Sequence, residues 1–121
     1  MDDRAGLGRS GEREAEGFLR ARKYRIVTQN YRCPPGEVDL IALDGTTIVF
    51  VEVKTRTGRE HADPQDAVNI HKQQHIQRAA EFFLRQTHSE DRVYRFDVVA
   101  LVLLPDGKQE IEHLIDAFTP V

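Results

Sequence analysis

The sequence predicts one α/β domain in which a central mixed β-sheet is flanked by helices in the order αβββαββ. Three observations predict it: a length of 121 residues with 40% hydrophobic and 31% charged residues, two stretches of helical apolar spacing, and five strand-like stretches punctuated by Pro-Pro-Gly, Asp-Gly and Pro-Asp-Gly. A chain of this size buries about two thirds of its unfolded surface around a single core. With only 8 Gly and 5 Pro, and no repeat of solenoid length, it is neither disordered nor fibrous in composition.

Each element has its own signal. Residues 9–22 read as a helix, with Ser10 as its cap and Ala15, Phe18 and Leu19 as an apolar stripe. Residues 1–8 read as a flexible N-terminal arm; Gly6, Gly8 and Gly11 match a dinucleotide fingerprint in spacing, but no strand precedes them. Tyr24 to Asn30 makes a short strand. After Pro34-Pro35-Gly36 come two strong strand patterns, Glu37 to Leu43 and Thr47 to Thr55, and Asp44-Gly45 between them marks a hairpin. Thr57 to Asp63 is polar and loop-like. Asp63 caps and Pro64 opens a second helix running to about Gln86, with Val68, Ile76, Ala79, Ala80, Phe83 and Leu84 on its buried side. Tyr94 to Leu104 is the most apolar strand and is expected at the centre of the sheet. Pro105-Asp106-Gly107 then turns the chain into a last strand near Glu110 to Ile115.

Composition narrows the setting. The longest apolar run, Val98 to Leu104, is far below the ~18 residues of a membrane span, and the start MDDRAGLGRSGERE has no apolar signal core, so no membrane association and a cytoplasmic location are expected. Cys33 is the single cysteine, which excludes an internal disulfide and fits a reducing compartment. A net charge of −3 argues against a nucleic-acid partner at first sight, yet residues 1–36 hold eight Arg or Lys against five acids, whereas residues 98–121 hold one against four.

Side chains alternate faces along a strand, so Glu37, Asp39 and Ile41 share one face, and Val38, Leu40 and Ala42 the other. On the next strand Val49, Val51 and Val53 share a buried face, leaving Ile48, Phe50, Glu52 and Lys54 opposite. A hairpin closed at Asp44-Gly45 pairs Glu37 with Glu52, Asp39 with Phe50 and Ile41 with Ile48, gathering Glu37, Asp39, Glu52 and Lys54 on one patch. Two like charges about 4 Å apart repel by ~4 kcal/mol at an effective dielectric of 20, so the patch calls for a positive partner. Carboxylates converging from neighbouring strands suit a hard divalent cation such as Mg²⁺, and a lysine two residues beyond can orient or deprotonate the attacking water, which equips the set for metal-assisted phosphodiester hydrolysis. The bland alternative is a hairpin whose acids and lysine are simply solvated. Glu12, three and seven residues before Ala15 and Leu19, borders the apolar stripe of the first helix; it either joins the patch or is a first-turn acid favoured by the helix dipole.

Gly11-Glu12, Asn30, Gly36-Glu37-Val38-Asp39-Leu40-Ile41, Phe50-Val51-Glu52-Val53-Lys54-Thr55-Arg56, Pro64, Lys72 and Arg95-Phe96-Asp97-Val98 together resemble the YraN family of small bacterial proteins, over nearly the whole chain. That family is similar to the PD-(D/E)xK nuclease superfamily, including archaeal Holliday-junction resolvases. The resemblance implies a restriction-endonuclease-like fold, with Asp39 and Glu52 as metal ligands, Glu12 completing the catalytic site and Lys54 serving the attacking water. Val38 stands where the superfamily name has proline.

Weaker signals surround this set. Arg56 and Arg59, beyond Lys54 on a Gly-containing loop, are candidates to hold the phosphate backbone, as is Lys72 on the second helix, against the alternative of a solvated loop. His71 and His75 share a helix face at zinc-ligand spacing but lack a third ligand, and read as exposed. Cys33 reads as a turn residue. The expectation is thus an endodeoxyribonuclease using Mg²⁺ or Mn²⁺ on DNA, branched DNA included, with Glu37 in a supporting role. Its first rival is a nuclease-fold module that binds nucleic acid or protein without cleaving. A carboxylate-only glycosidase needs an aromatic groove, hard to build with no Trp and 7% aromatic residues. A homodimer would span a branched duplex better than one copy.

Overall fold

In the computed structural model, residues 3–57 and 69–119 are described, with side chains from Gly11 onward. Among the described residues seven elements follow in the expected αβββαββ order: α1 (Asp3–Ala21), β1 (Arg25–Cys33), β2 (Gly36–Asp44), β3 (Thr47–Thr57), α2 (Ile70–Gln86), β4 (Tyr94–Leu103) and β5 (Gln109–Phe118). The strands form one sheet in the order β1-β2-β3-β4-β5. Adjacent pairs are antiparallel except β3 and β4, which run parallel and are joined by the connection carrying α2. Parallel neighbours need such a crossover, whereas the antiparallel ones close through tight turns. The architecture is that of a restriction-endonuclease-like α/β fold.

Each helix covers one face of the sheet. Ala15 and Leu19 of α1 pack with Leu40, Ala42, Val49, Val51 and Val99. On the other face, Ile76, Ala79, Ala80, Phe83 and Leu84 of α2 pack on Ile41, Ile48, Phe50, Phe96 and Val98. These residues are the apolar stripes of the two helices and the alternating faces of the strands.

Several expectations need correction. α1 begins at Asp3, not at residue 9. Asp63, Pro64 and Val68 lie outside the described residues, and α2 starts later than expected: Asn69 is its cap, with Oδ1 accepting the Lys72 N–H at 3.0 Å. The middle strand is β3; β4, although buried along most of its length, lies beside it. β3 also runs on to Thr57, so Arg56 sits in a strand, opposite Val102, and not in a loop.

The β2–β3 register is shifted by two residues from the expected one. Asp44 stays in the ladder opposite Thr47, and the loop is Gly45-Thr46, with Gly45 at φ +61°. Glycine at the first position of a two-residue loop accepts that backbone without strain. Ile41 therefore faces Phe50 and Leu40 faces Val51, which brings Asp39 to the level of Glu52 and moves Glu37 away from it.

Candidate active site

The site forms where β2 and β3 part. Their ladder ends at Leu40 and Val51, while β3 continues beside β4 as far as Thr57 and Leu103. Alternation along β2 also breaks there: Val38 packs on the α2 side and Leu40 on the α1 side, although they are two residues apart. The expected common face for Val38, Leu40 and Ala42 fails at Val38 for this reason. Asp39 lies at the break, and its Oδ2 accepts the Val53 N–H at 2.8 Å, so a side chain replaces the missing ladder bond. Its carboxyl group is thereby fixed between the two strands.

Glu52 points to the α2 side and is only 5% exposed. Lys72 Nζ stands 3.0 Å from Glu52 Oε1, and Lys54 Nζ stands 3.9 Å from the same oxygen. Burial and the neighbouring Asp39 push the Glu52 carboxyl up to about 7 from its ordinary 4.5, against the pull of Lys72. Burial and the adjacent Lys72 ammonium lower the pKa of Lys54. For Lys72, burial opposes the charge, but contact with Lys54 and the charges of Glu52 and Asp39 outweigh it and raise the pKa.

Glu12 reaches the same region from the opposite face of the sheet. α1 lies close on the strand ends: a Cβ at Gly11 would come within 2.7 Å of Thr55 Oγ1 and 2.9 Å of Leu101 Cδ1. The Glu12 pKa is raised by burial and by Asp39, while a hydrogen bond with Asn30 counters this. Asn30 takes φ +48° in β1, a left-handed conformation that Asn tolerates better than most residues.

A cavity of about 480 Å³ collects Glu12, Glu37, Asp39, Glu52, Lys54 and Lys72 along its walls. Glu37 is at its outer rim, paired with Arg32 at 3.3 Å and 63% exposed. Arg59 lies outside the described residues. His71 and His75 are exposed, as expected; Cys33 is the last residue of β1 and not a turn residue, and its thiol donates to the carbonyl of its ladder partner Gly36 at 3.2 Å.

Among the described residues, no three Asp, Glu, His or Cys side chains converge closely enough to form a complete protein cage for a metal ion. The adjacent Asp39 and Glu52 carboxylates, with a lysine ammonium already held against one of them, nonetheless fit Mg²⁺, which keeps several waters and is commonly held by one or two carboxylates plus substrate phosphate.

Sequence reading gave no role to a second polar cluster. Asp97 is fully buried on the α1 side, where it accepts from Arg95 Nε at 3.0 Å, from the Asp116 backbone N–H at 3.0 Å and pairs with His113 Nε2 at 2.8 Å. Arg95 also donates to the Tyr24 hydroxyl at 2.7 Å and to Asp44 at 3.1 Å. The Arg95-x-Asp97 spacing, which puts both on one strand face, was the available signal; His113 had none.

The fold and this pocket define the class: a restriction-endonuclease-like α/β protein with acids and lysines gathered at the splayed end of its central strands. More particularly, the chain belongs to the uncharacterised protein family UPF0102, the YraN family, whose profile matches residues 11–101. It is 48% identical to a UPF0102 protein of Geotalea uraniireducens (strain Rf4), across 96% of this chain and 91% of the relative. It is 46% identical to one of Caldicellulosiruptor saccharolyticus, across 80% and 82%, and 45% identical to UPF0102 protein STH1475 of Symbiobacterium thermophilum, across 93% and 95%. No helix among the described residues is long and apolar enough to cross a membrane.

Proposed function

We propose that this protein is a Mg²⁺- or Mn²⁺-dependent endonuclease that hydrolyses DNA phosphodiesters, with branched DNA among its substrates. One observation carries the reading: Asp39 and Glu52 lie side by side at a solvent-reaching cavity, with two lysines on the buried member of the pair. Asp39 and Glu52 would hold the ion, which supplies charge neutralisation at the phosphate and activation of water. Glu12, tied to Asn30 and facing Asp39, supports the set from α1.

Lys54 is suited to proton transfer because burial and Lys72 lower its pKa, leaving more of the neutral amine near neutral pH than an ordinary lysine offers. The amine accepts a proton from the attacking water, whose oxygen forms a bond to phosphorus as the bond to the leaving oxygen breaks. Lys72, on the cavity wall, and Arg56, on β3 two residues beyond Lys54, would contact backbone phosphates.

The test is cleavage of junction, flap and linear DNA with Mg²⁺, Mn²⁺ or EDTA. The expected result is metal-dependent nicking that falls at least about a hundredfold in Lys54→Ala, as loss of a proton-transfer group does. DNA binding without cleavage under every condition would instead make the chain a binding module.

A further inference from the structure

Glu52 already has a cation against it, and that cation is in an awkward position. Lys72 is the third residue of a helix capped by Asn69, so its ammonium stands at the positive end of the helix dipole, in a first turn that has no acidic residue. It also lies beside a second ammonium, that of Lys54. A side chain that is 39% exposed has water within reach, yet Nζ is held 3.0 Å from Glu52. The adjoining carboxylates account for that attraction.

The backbone is arranged to permit the contact. A Cβ at Gly36 would come within 3.0 Å of the His75 carbonyl oxygen, so α2 rests on the start of β2 at a distance tight for any side chain there. Lys72 and Lys54 thereby offset part of the negative charge that Asp39 and Glu52 bring together.

Resting on the reading that Asp39 and Glu52 take a divalent cation, we infer that Lys72 is the resident counter-ion of this pair and competes with the metal for Glu52. Metal binding is then an exchange: as the ion arrives, the ammonium leaves Glu52 and is released at the rim of the cavity, where a phosphate can receive it. Lysine holds the pocket together without metal and limits metal affinity in the same contact. Because the two cations exclude each other at one oxygen, removing the lysine must tighten the ion.

Calorimetric Mn²⁺ titration and thermal denaturation, all at one fixed pH, test this on wild type, Lys72→Met and Lys72→Arg. The expected result is Mn²⁺ binding tighter by about tenfold or more in Lys72→Met, within the usual range of coupling between two ligands, and near wild type in Lys72→Arg, which keeps the charge. Lys72→Gln should rank with Lys72→Met and replaces it if that variant does not fold. Unchanged or weaker binding in the neutral variants, with measurable binding in wild type, overturns the competition and leaves the metal site standing. Absence of Mn²⁺ heat and of any Mn²⁺-dependent Tm rise in all variants overturns the metal site, and the competition with it.

Discussion

At the scale of single residues, Glu52 ties stability to pH in an unusual direction. Its carboxyl is raised to about 7, so the folded chain holds a proton that the unfolded chain, with a value near 4.5, has released. Stability from such a group is complete below about 4.5 and is lost as pH rises through about 7. Glu52→Gln removes the charge but keeps the shape, and is predicted to raise metal-free stability by about 1–3 kcal/mol on the alkaline side and to change it little in acid. Denaturant unfolding at several pH values checks this; a variant no more stable than wild type in alkali would contradict the crowding of Asp39 and Glu52. Asp97 acts with the opposite sign. Burial opposes its charge, but hydrogen bonds from His113, Arg95 and Asp116 outweigh it and lower the pKa from 3.8, so its contribution is present above that value and lost as acid protonates it. Asp97→Asn turns an acceptor into a donor against Arg95 or His113 and is predicted to cost about 3–5 kcal/mol by denaturant unfolding. Asp39, Glu52 and Lys54 were legible in the sequence because strand alternation and spacing place them. Lys72 was legible only as a cation near the site, since its contact with Glu52 depends on a helix start that Pro64 marks in the sequence and Asn69 sets in the structure.

At the scale of elements, the two helices are brought onto the sheet by one glycine each, and the obstacles that a methyl group would meet differ. At Gly11 they are side-chain atoms, Thr55 Oγ1 and Leu101 Cδ1, which can rotate away; at Gly36 the obstacle is the His75 carbonyl, part of the α2 backbone. Gly11→Ala also gains helix propensity of about 1 kcal/mol, which offsets its crowding. Gly36→Ala has no such gain and asks the α2 backbone to give by a few tenths of an ångström, so it is predicted to be the more destabilising by roughly 1–2 kcal/mol, within the range of overpacking. Thermal or denaturant unfolding of the two variants decides it, and the reverse ranking would show that α2 yields more easily than its contacts imply. The element order was legible because each strand and helix carries its own period. The register was not: Asp-Gly marks the hairpin, but whether Asp44 sits in the loop or in the ladder is decided by Thr47 pairing with it. Nor did alternation foretell the β5 irregularity, where Asp116 takes φ +57° and its N–H turns to Asp97 between the Phe96–Phe118 and Val98–Leu114 pairs.

At the scale of the whole molecule, the charge asymmetry read from the sequence becomes a direction in space. The basic first 36 residues include β1, at one edge of the sheet, and α1, which lies across one face, whereas the acidic last 24 end in β5 at the other edge. A net charge of −3 therefore conceals a basic first third of the sequence, and one of its arginines, Arg32, 79% exposed, pairs with Glu37 on the cavity wall. If DNA is the ligand, its phosphates meet the β1 side and are repelled from β5. Each phosphate contact contributes about −0.9 to the slope of log K against log salt on duplex DNA, so the slope counts the cations engaged. Arg32→Ala is predicted to weaken binding and reduce that slope by about one, whereas Lys108→Ala, in the turn before β5, should leave both unchanged. Fluorescence anisotropy across a salt series measures it. Equal effects at the two positions would mean that DNA does not read this polarity, and the route by which a backbone reaches Asp39 and Glu52 would have to lie elsewhere on the surface.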